Sequence, residues 1–127
     1  MNETSIEKAI NIKSKFDHEC IIHQSLQLIG NKWMLLIIMS LIQGVKRTHQ
    51  IQEDVTGISS KVLAENLKKL VNYGFIEKKV YPTVPPKVEY YLTPFGQSLI
   101  EPLSSLFDWS LSNEKDIREI YKKFEKK

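Results

Sequence analysis

Residues 56–75 read TGISSKVLAENLKKLVNYGF, and this stretch decides the fold. Gly57 marks a turn, and Ser59 is a suitable N-cap for a helix that runs from Ser60 to about Asn72. One side of that helix is apolar and comprises Leu63, Leu67, Leu70 and Val71. The opposite side is polar and comprises Lys61, Glu65, Lys68 and Asn72. The stretch therefore predicts an amphipathic helix that follows a tight turn, buries one side and presents the other.

A short helix is predicted before this turn and a β-hairpin after the amphipathic helix. Residues 47–55 suit a short helix, so that the turn at Gly57 joins two helices in a helix-turn-helix arrangement. Residues 75–81 and 88–92 are rich in β-branched and aromatic side chains, and the segment 82–86 between them is rich in proline. These patterns predict two strands with a stiff tip, which is the wing of a winged helix-turn-helix.

Further helices are predicted on both sides of this unit. Apolar residues at helical spacing indicate helices at about residues 24–29 and 32–43, and the second is apolar nearly all round, which predicts burial. Thr93-Pro94 marks the start of another helix, and Pro102 predicts a kink or a break within it. The predicted fold class is therefore mainly α with a small β-hairpin wing (α+β), a winged helix-turn-helix.

The chain divides into three segments in this interpretation. Residues 1–19 are polar and weakly periodic, and they predict an N-terminal arm or a loosely attached helix. Residues 20–112 hold the winged helix-turn-helix domain, which is of ordinary domain size. Residues 113–127 look like a charged C-terminal helix that faces solvent.

The positive charge of the chain is confined to its middle. The net charge is +3, and residues 46–91 carry eight basic and five acidic side chains, whereas acids and bases balance on either side. A local excess of this kind suits a surface that binds phosphates. A solvated helix face with surplus lysine would explain it as well, so charge alone does not decide.

Membrane, metal and enzyme functions find little support. No signal peptide is visible, and the most apolar run, Trp33 to Ile42, is about half the length that spans a bilayer. The lone Cys20 cannot form an intrachain disulfide, which favours a reducing cytoplasm. His18, Cys20 and His23 offer three metal ligands where a structural zinc site needs four. With no phosphate loop or nucleophile motif, neither a cofactor nor an enzymatic activity is expected.

The candidate DNA contacts lie on the amphipathic helix and on the hairpin. The start of the helix offers backbone N–H groups and a dipole that favour phosphate, and its polar side would face the major groove. Lysines on the wing would contact the flanking backbone or the minor groove. The candidate residues are Ser59, Ser60, Lys61, Glu65, Lys68, Lys78 and Lys87.

A long apolar stripe follows the wing and predicts an interface. A domain of this size has little room to bury all of it internally, and a two-fold partner would cover the remainder. Such a dimer, built from the N- and C-terminal helices, would hold two recognition helices one DNA turn apart, about 34 Å. The predicted interface residues are Phe95, Leu99, Leu103, Leu106 and Trp109.

The stretch from Cys20 to about Trp109 resembles the HxlR-type winged helix-turn-helix regulators, relatives of the MarR family. The wing segment is the most specific part of the resemblance, because it joins a double proline to Val-Glu-Tyr. The matching segments are Leu28–Trp33, Gly57–Leu63, Leu67–Leu70, Tyr73–Ile76, Tyr81, Pro85–Tyr90, Leu92–Gly96 and Trp109.

The chain departs from the family pattern at four places. The family usually has Cys-Pro at Cys20-Ile21, a second Gly at Asn31, Arg-Phe at Arg47-Thr48, and Arg where Lys87 stands. The first three touch the arm and the rim of the core, and the last touches a DNA contact. None of them removes a part that the DNA-binding scaffold needs.

The resemblance implies a cytoplasmic regulator that binds a palindromic operator in double-stranded DNA as a homodimer. Some members of the family respond to a small electrophile or an oxidant through a cysteine near the N-terminus, which makes Cys20 a candidate redox sensor. The alternative for Cys20 is a small apolar side chain that packs and never reacts. The alternative function is a winged-helix protein-interaction module without operator binding, and salt dependence separates the two.

Overall fold

The computed structural model describes Thr4, Ile6 and residues 17–125. The arm predicted for residues 1–19 therefore lies mostly outside the described residues. In chain order the elements are α1 (Ile21–Ile29), α2 (Lys32–Leu41), β1 (Lys46–Arg47), α3 (Thr48–Asp54), α4 (Ser60–Asn72), β2 (Ile76–Tyr81), β3 (Lys87–Leu92), α5 (Pro94–Gln97), α6 (Ile100–Ser112) and α7 (Glu114–Glu125). The mainly helical winged helix-turn-helix predicted from the sequence is confirmed, and no helix of the described part is long and apolar enough to cross a membrane.

The sheet has three antiparallel strands in the order β1-β3-β2. The predicted hairpin forms between β2 and β3, in a register that runs from Ile76 opposite Leu92 to Tyr81 opposite Lys87. The third strand, β1, was not predicted, because its two residues carry no strand pattern of their own. It forms because Lys46 and Arg47 pair with Tyr90 and Glu89 on β3.

The core is centred on α2, whose Ile37 and Ile38 are fully buried. Helices α3 and α4 and strand β3 pack around it. The apolar side of α4 supplies Leu63 and Leu70, which are also completely buried. Leu103 from α6 closes the core on another side. The burial predicted for this nearly all-apolar helix is confirmed for Met34, Ile37, Ile38, Ser40 and Leu41, whereas Leu36 is 40% exposed.

A polar network ties α3 to α2 and to β1. The Ser40 hydroxyl donates to the Asp54 carboxylate at 2.7 Å, and the Lys46 ammonium also donates to that carboxylate. Lys46 donates further to the Gln43 side chain at 2.7 Å. The hydrogen bond from Lys46, followed by that from Ser40, lowers the pKa of Asp54. Asp54 therefore stays ionised and anchors the end of α3, which fixes the first helix of the helix-turn-helix.

The break expected at Pro102 occurs one turn earlier. Helix α5 ends at Gln97 and α6 begins at Ile100, so that Pro102 is the third residue of α6. Proline lacks an N–H, and its ring clashes with the carbonyl four residues before it. In the first turn of a helix the N–H has no acceptor within the helix, and the residue four positions earlier lies outside it, so proline is tolerated there. The break therefore lies around Ser98, four residues before the proline.

Helix α5 is held tightly against the corner that precedes β2. Thr93 caps it by accepting a hydrogen bond from Gly96 at 3.0 Å and donates to the Gly74 carbonyl at 2.5 Å. A Cβ on Gly96 would lie 2.0 Å from the carbonyl oxygen of Phe75, so only glycine fits there. The Phe75 and Phe95 rings stack at 4.6 Å.

Helix α7 is exposed, as expected of a charged terminal helix, but it is amphipathic rather than uniformly polar. Ile120, Tyr121 and Phe124 are each more than half exposed and recur at helical spacing along one side. Arg118 and Glu114 form an ion pair at 2.7 Å. Ile120 and Tyr121 therefore present apolar surface to solvent.

Candidate nucleic-acid interface

The turn between α3 and α4 is fixed by side-chain hydrogen bonds. Ser59 caps α4 by accepting a hydrogen bond from the Val62 N–H at 3.1 Å, as predicted. The Gln52 amide of α3 donates to the Ser60 hydroxyl at 3.2 Å and to the Ile58 carbonyl at 3.3 Å. Both serines remain exposed at the first turn of α4. The first turn of α4 is therefore held in a fixed orientation, with both serines at the surface.

The outward side of α4 is polar and open to solvent. Lys61, Glu65 and Lys68 are exposed, whereas Leu63, Leu67 and Leu70 on the other side are at most 3% exposed. Ala64 is exposed between them. A side chain this small leaves the helix backbone accessible to a surface that approaches α4. The structure thus brings together the four candidate residues of α4, from Ser60 to Lys68.

Lys68 and Lys78 line one groove between α4 and the wing. The groove has a volume of about 430 Å³.

The groove between α4 and the wing is rich in hydrogen-bond donors. Thr48, Asn72 and Tyr90 line it together with the two lysines. Burial raises the pKa of Tyr90, and a hydrogen bond with Thr48 opposes that shift. The ion pairs found among the described residues include neither Lys68 nor Lys78. Two ammonium groups without a carboxylate partner therefore border the same groove.

The outer face of the wing is organised differently, because it holds an ion pair between Lys87 and Glu89. Lys87 begins β3 rather than lying in the tip loop, and its ammonium is 3.6 Å from the Glu89 carboxylate. The ammonium groups of Lys79 and Lys87 lie 5.0 and 4.9 Å from the centre of the Tyr81 ring. The Tyr81 hydroxyl hydrogen-bonds to Glu89 and is the main cause of that carboxyl's lowered pKa.

Two asparagines that the sequence analysis did not select hold α4 against α2. Asn66 is 4% exposed, and its amide oxygen accepts a hydrogen bond from the Asn31 amide at 3.0 Å. Its amide nitrogen donates to the Val62 carbonyl at 2.8 Å. Asn31 also caps α2 by accepting from the Trp33 N–H at 2.9 Å. The signal in the sequence was a polar residue within the apolar side of α4.

The predicted interface stripe divides between the core and the surface. Leu103 is buried and Leu99 is half-buried, so these two pack inside the chain. Phe95, Leu106 and Trp109 are 54%, 50% and 58% exposed. The exposed part of the stripe is therefore available to a second chain.

Cys20 lies immediately before α1 and is 5% exposed. Its backbone N–H donates to the Asp17 carbonyl at 3.0 Å. Within the described part of the chain, no group of three or more His, Cys, Asp or Glu side chains is placed to hold a metal ion.

Replacing Asn66 with Ala should destabilise the fold by about 1–3 kcal/mol, because the Asn31 amide loses a partner in a part-buried place. Urea denaturation, monitored by circular dichroism, measures the change in the free energy of unfolding. Asn72→Ala is the control, since Asn72 is an exposed asparagine of the same helix. Equal effects of the two substitutions would show that the bridge between Asn31 and Asn66 contributes nothing.

Comparison with known proteins gives a consistent result. The family model described as HxlR-like helix-turn-helix matches residues 28–118. The HTH-type transcriptional regulator YtfH of Escherichia coli (strain K12) is 33% identical over 109 residues, which are 86% of each chain.

Solved structures agree with this match. A transcriptional regulator of the MarR family from Porphyromonas gingivalis W83 has a TM-score of 0.76 and 37% identity, over 80% of this chain and 99% of that one. The redox regulator HypR in its reduced form has a TM-score of 0.72 and 32% identity, over 77% of this chain and 97% of that one.

Proposed function

The chain belongs to the HxlR-like helix-turn-helix family, whose members are transcription regulators and not enzymes, and on this premise we propose that it binds a palindromic operator in double-stranded DNA as a homodimer. The observation that carries the proposal is the exposed polar side of α4, opposite a fully buried apolar side. We further propose that the protein acts in the cytoplasm.

Helix α4 is the proposed recognition helix. The major groove of B-DNA is wide enough for a helix, and the polar side of α4 carries groups that can contact base edges. Glu65 can accept a hydrogen bond from a cytosine amino group, and Lys61 can donate to guanine. Ser59 and Ser60 lie at the first turn, where the helix dipole and free N–H groups favour a phosphate.

The groove between α4 and the wing is the proposed site for the DNA backbone. When a helix lies in the major groove and a wing reaches the minor groove, the sugar-phosphate strand between the two grooves passes between the two elements. Lys68 and Lys78 border that passage without a carboxylate partner among the described ion pairs. Lys87 lies on the outer face of the wing, where it is paired with Glu89.

Replacing both Lys61 and Lys68 with Ala should weaken binding to duplex DNA by about 10–100-fold and reduce the slope of log affinity against log salt by about 2. Fluorescence anisotropy with labelled duplexes, selected from a random library, measures both quantities. The matched control is Lys115→Ala with Lys122→Ala, which removes the same charge from the polar side of α7.

Equal losses in the two double variants would show that net charge, and not the surface of α4, governs binding. If the natural chain bound no duplex DNA even at low salt, the result would favour the alternative function, a winged-helix protein-interaction module without operator binding.

The proposed dimer rests on apolar surface that the single chain leaves exposed. This surface comprises Leu106 and Trp109 on α6 together with Ile120 and Tyr121 on α7, and the two helices pack against each other. Exposed patches of this kind mark interaction sites in soluble proteins. A two-fold axis through this surface would pair two copies of α4 at the spacing of one DNA turn.

Replacing Leu106 and Trp109 with Glu should convert the dimer to a monomer, because the charges would have to be buried in an apolar interface. Sedimentation equilibrium at micromolar concentration measures the mass, and circular dichroism checks the fold. Ser104→Glu is the control, because it places a charge on the opposite side of α6. A natural chain that sediments as a monomer would contradict the dimer.

Cys20 is the proposed sensor of oxidants or small electrophiles. The structural relative HypR is described as a redox regulator, which supports the proposal. With one cysteine in each chain, oxidation by diamide would join two chains through a Cys20–Cys20 disulfide. Two thiols then lose two protons and two electrons, and diamide takes them up as the hydrazine. Because the side chain is only 5% exposed, the start of α1 must open first.

Diamide should therefore change the DNA affinity of the natural protein and leave the Cys20→Ser variant unaffected. Anisotropy before and after treatment measures the affinity, and titration of the folded protein with a thiol reagent measures access. If treatment changes neither the affinity nor the thiol titre, Cys20 is a packed structural side chain.

A further inference from the structure

Glu89 lies at the centre of a cationic cluster on the outer face of the sheet. It is on the middle strand, directly opposite Arg47 of β1 and Lys79 of β2. Its carboxylate is 3.6 Å from the ammonium of Lys87 and hydrogen-bonds to the Tyr81 hydroxyl. Side chains of directly paired residues lie on the same face of a sheet. Lys87 and the Tyr81 hydroxyl therefore contact the carboxylate, and two further cations, Arg47 and Lys79, lie on the same face of the sheet.

This arrangement matches the chemistry of a bound phosphodiester. A carboxylate and a phosphate both present two oxygen atoms that share a negative charge, and both accept from lysine, arginine and hydroxyl groups. The hydrogen bond from Tyr81, and after it the charge of Lys87, lower the pKa of Glu89, so that the group is ionised at neutral pH. The wing thus carries an internal anion among its own cations.

We propose that Glu89 occupies the place of a DNA phosphate on the wing and thereby limits sequence-independent binding to duplex DNA. The inference rests on the proposed DNA-binding function. A phosphate that approaches this face meets the charge of Glu89 and competes with it for Lys87. The unpaired lysines beside α4 have no such competitor in the described ion pairs. Glu89 therefore shifts the balance of affinity toward the contacts made by α4.

The test measures binding of a duplex of random sequence at several salt concentrations. Glu89→Gln keeps the size of the side chain and an acceptor for the Tyr81 hydroxyl but removes the charge. We expect binding to tighten by about 5–10-fold at 0.1 M salt and the salt slope to steepen by about 0.9, the value of one added phosphate contact. Circular dichroism checks that the variant is folded.

The matched control is Glu77→Gln. Glu77 is on the same face of the wing, but it hydrogen-bonds to the Tyr91 hydroxyl instead of facing the lysines. The substitution makes the same change in net charge and should leave the salt slope unaltered. Equal effects of the two substitutions would overturn the proposal, because a change in net charge would then explain the tighter binding. Weaker binding by the Glu89→Gln variant would also overturn it and would show that Glu89 only positions Lys87.

A double-mutant cycle with Lys87→Ala completes the test. In the natural chain, Lys87→Ala should change the affinity for the random duplex less than twofold. In the Glu89→Gln chain, the same substitution should abolish the tighter binding that Glu89→Gln produces. Additive effects would overturn the proposal. If the natural chain binds duplex DNA and the variants do not differ from it, only this inference fails. If neither the natural chain nor Glu89→Gln binds duplex DNA at low salt, the proposed function fails as well.

Discussion

The burial of α2 is the constraint on which the rest of the structure depends. A helix whose Ile37 and Ile38 are fully buried must be covered on several sides, and the covers are α3, α4 and β3. These covers are also the elements that present the candidate DNA-binding surface. Their polar sides face outward because their apolar sides are used by α2. The orientation of α4 toward a partner is therefore a consequence of core packing.

Within that packing, α4 is positioned by one polar contact as well as by apolar burial. The hydrophobic effect has no preferred direction, whereas the hydrogen bond of an amide pair has a defined geometry. The hydrogen bond between Asn31 and Asn66 ties the start of α2 to the middle of α4 at a single register. It lies one turn from Leu63 and Leu70, on the buried side. The exposed side of α4 consequently has a fixed rotation about the helix axis.

The sequence predicts the features that depend on local pattern and misses those that depend on pairing across the fold. The periodicity of α4, the cap at Ser59 and the two strands of the hairpin are local, and the structure confirms them. Strand β1 has two residues and exists only through β3, so no pattern in the sequence marks it. The break lies before α6 and not at Pro102, because the proline ring would clash with the carbonyl of Ser98, four residues earlier. The pairing of Lys87 with Glu89 needed the register of the hairpin.

The charge excess of residues 46–91 acquires a meaning once the pairs are known. A count of eight bases against five acids is compatible with a solvated surface or with a phosphate-binding one. Lys46 is paired with Asp54, and Lys87 with Glu89, so neither contributes a free charge of full strength. Three lysines on α4, Lys61, Lys68 and Lys69, belong to none of the described ion pairs, and neither do Lys78, Lys79 and Arg47 on the strands. Because paired cations attract phosphate less than unpaired ones, pairing weakens the attraction at Lys46 and Lys87 and leaves it undiminished on α4, where base edges can be read.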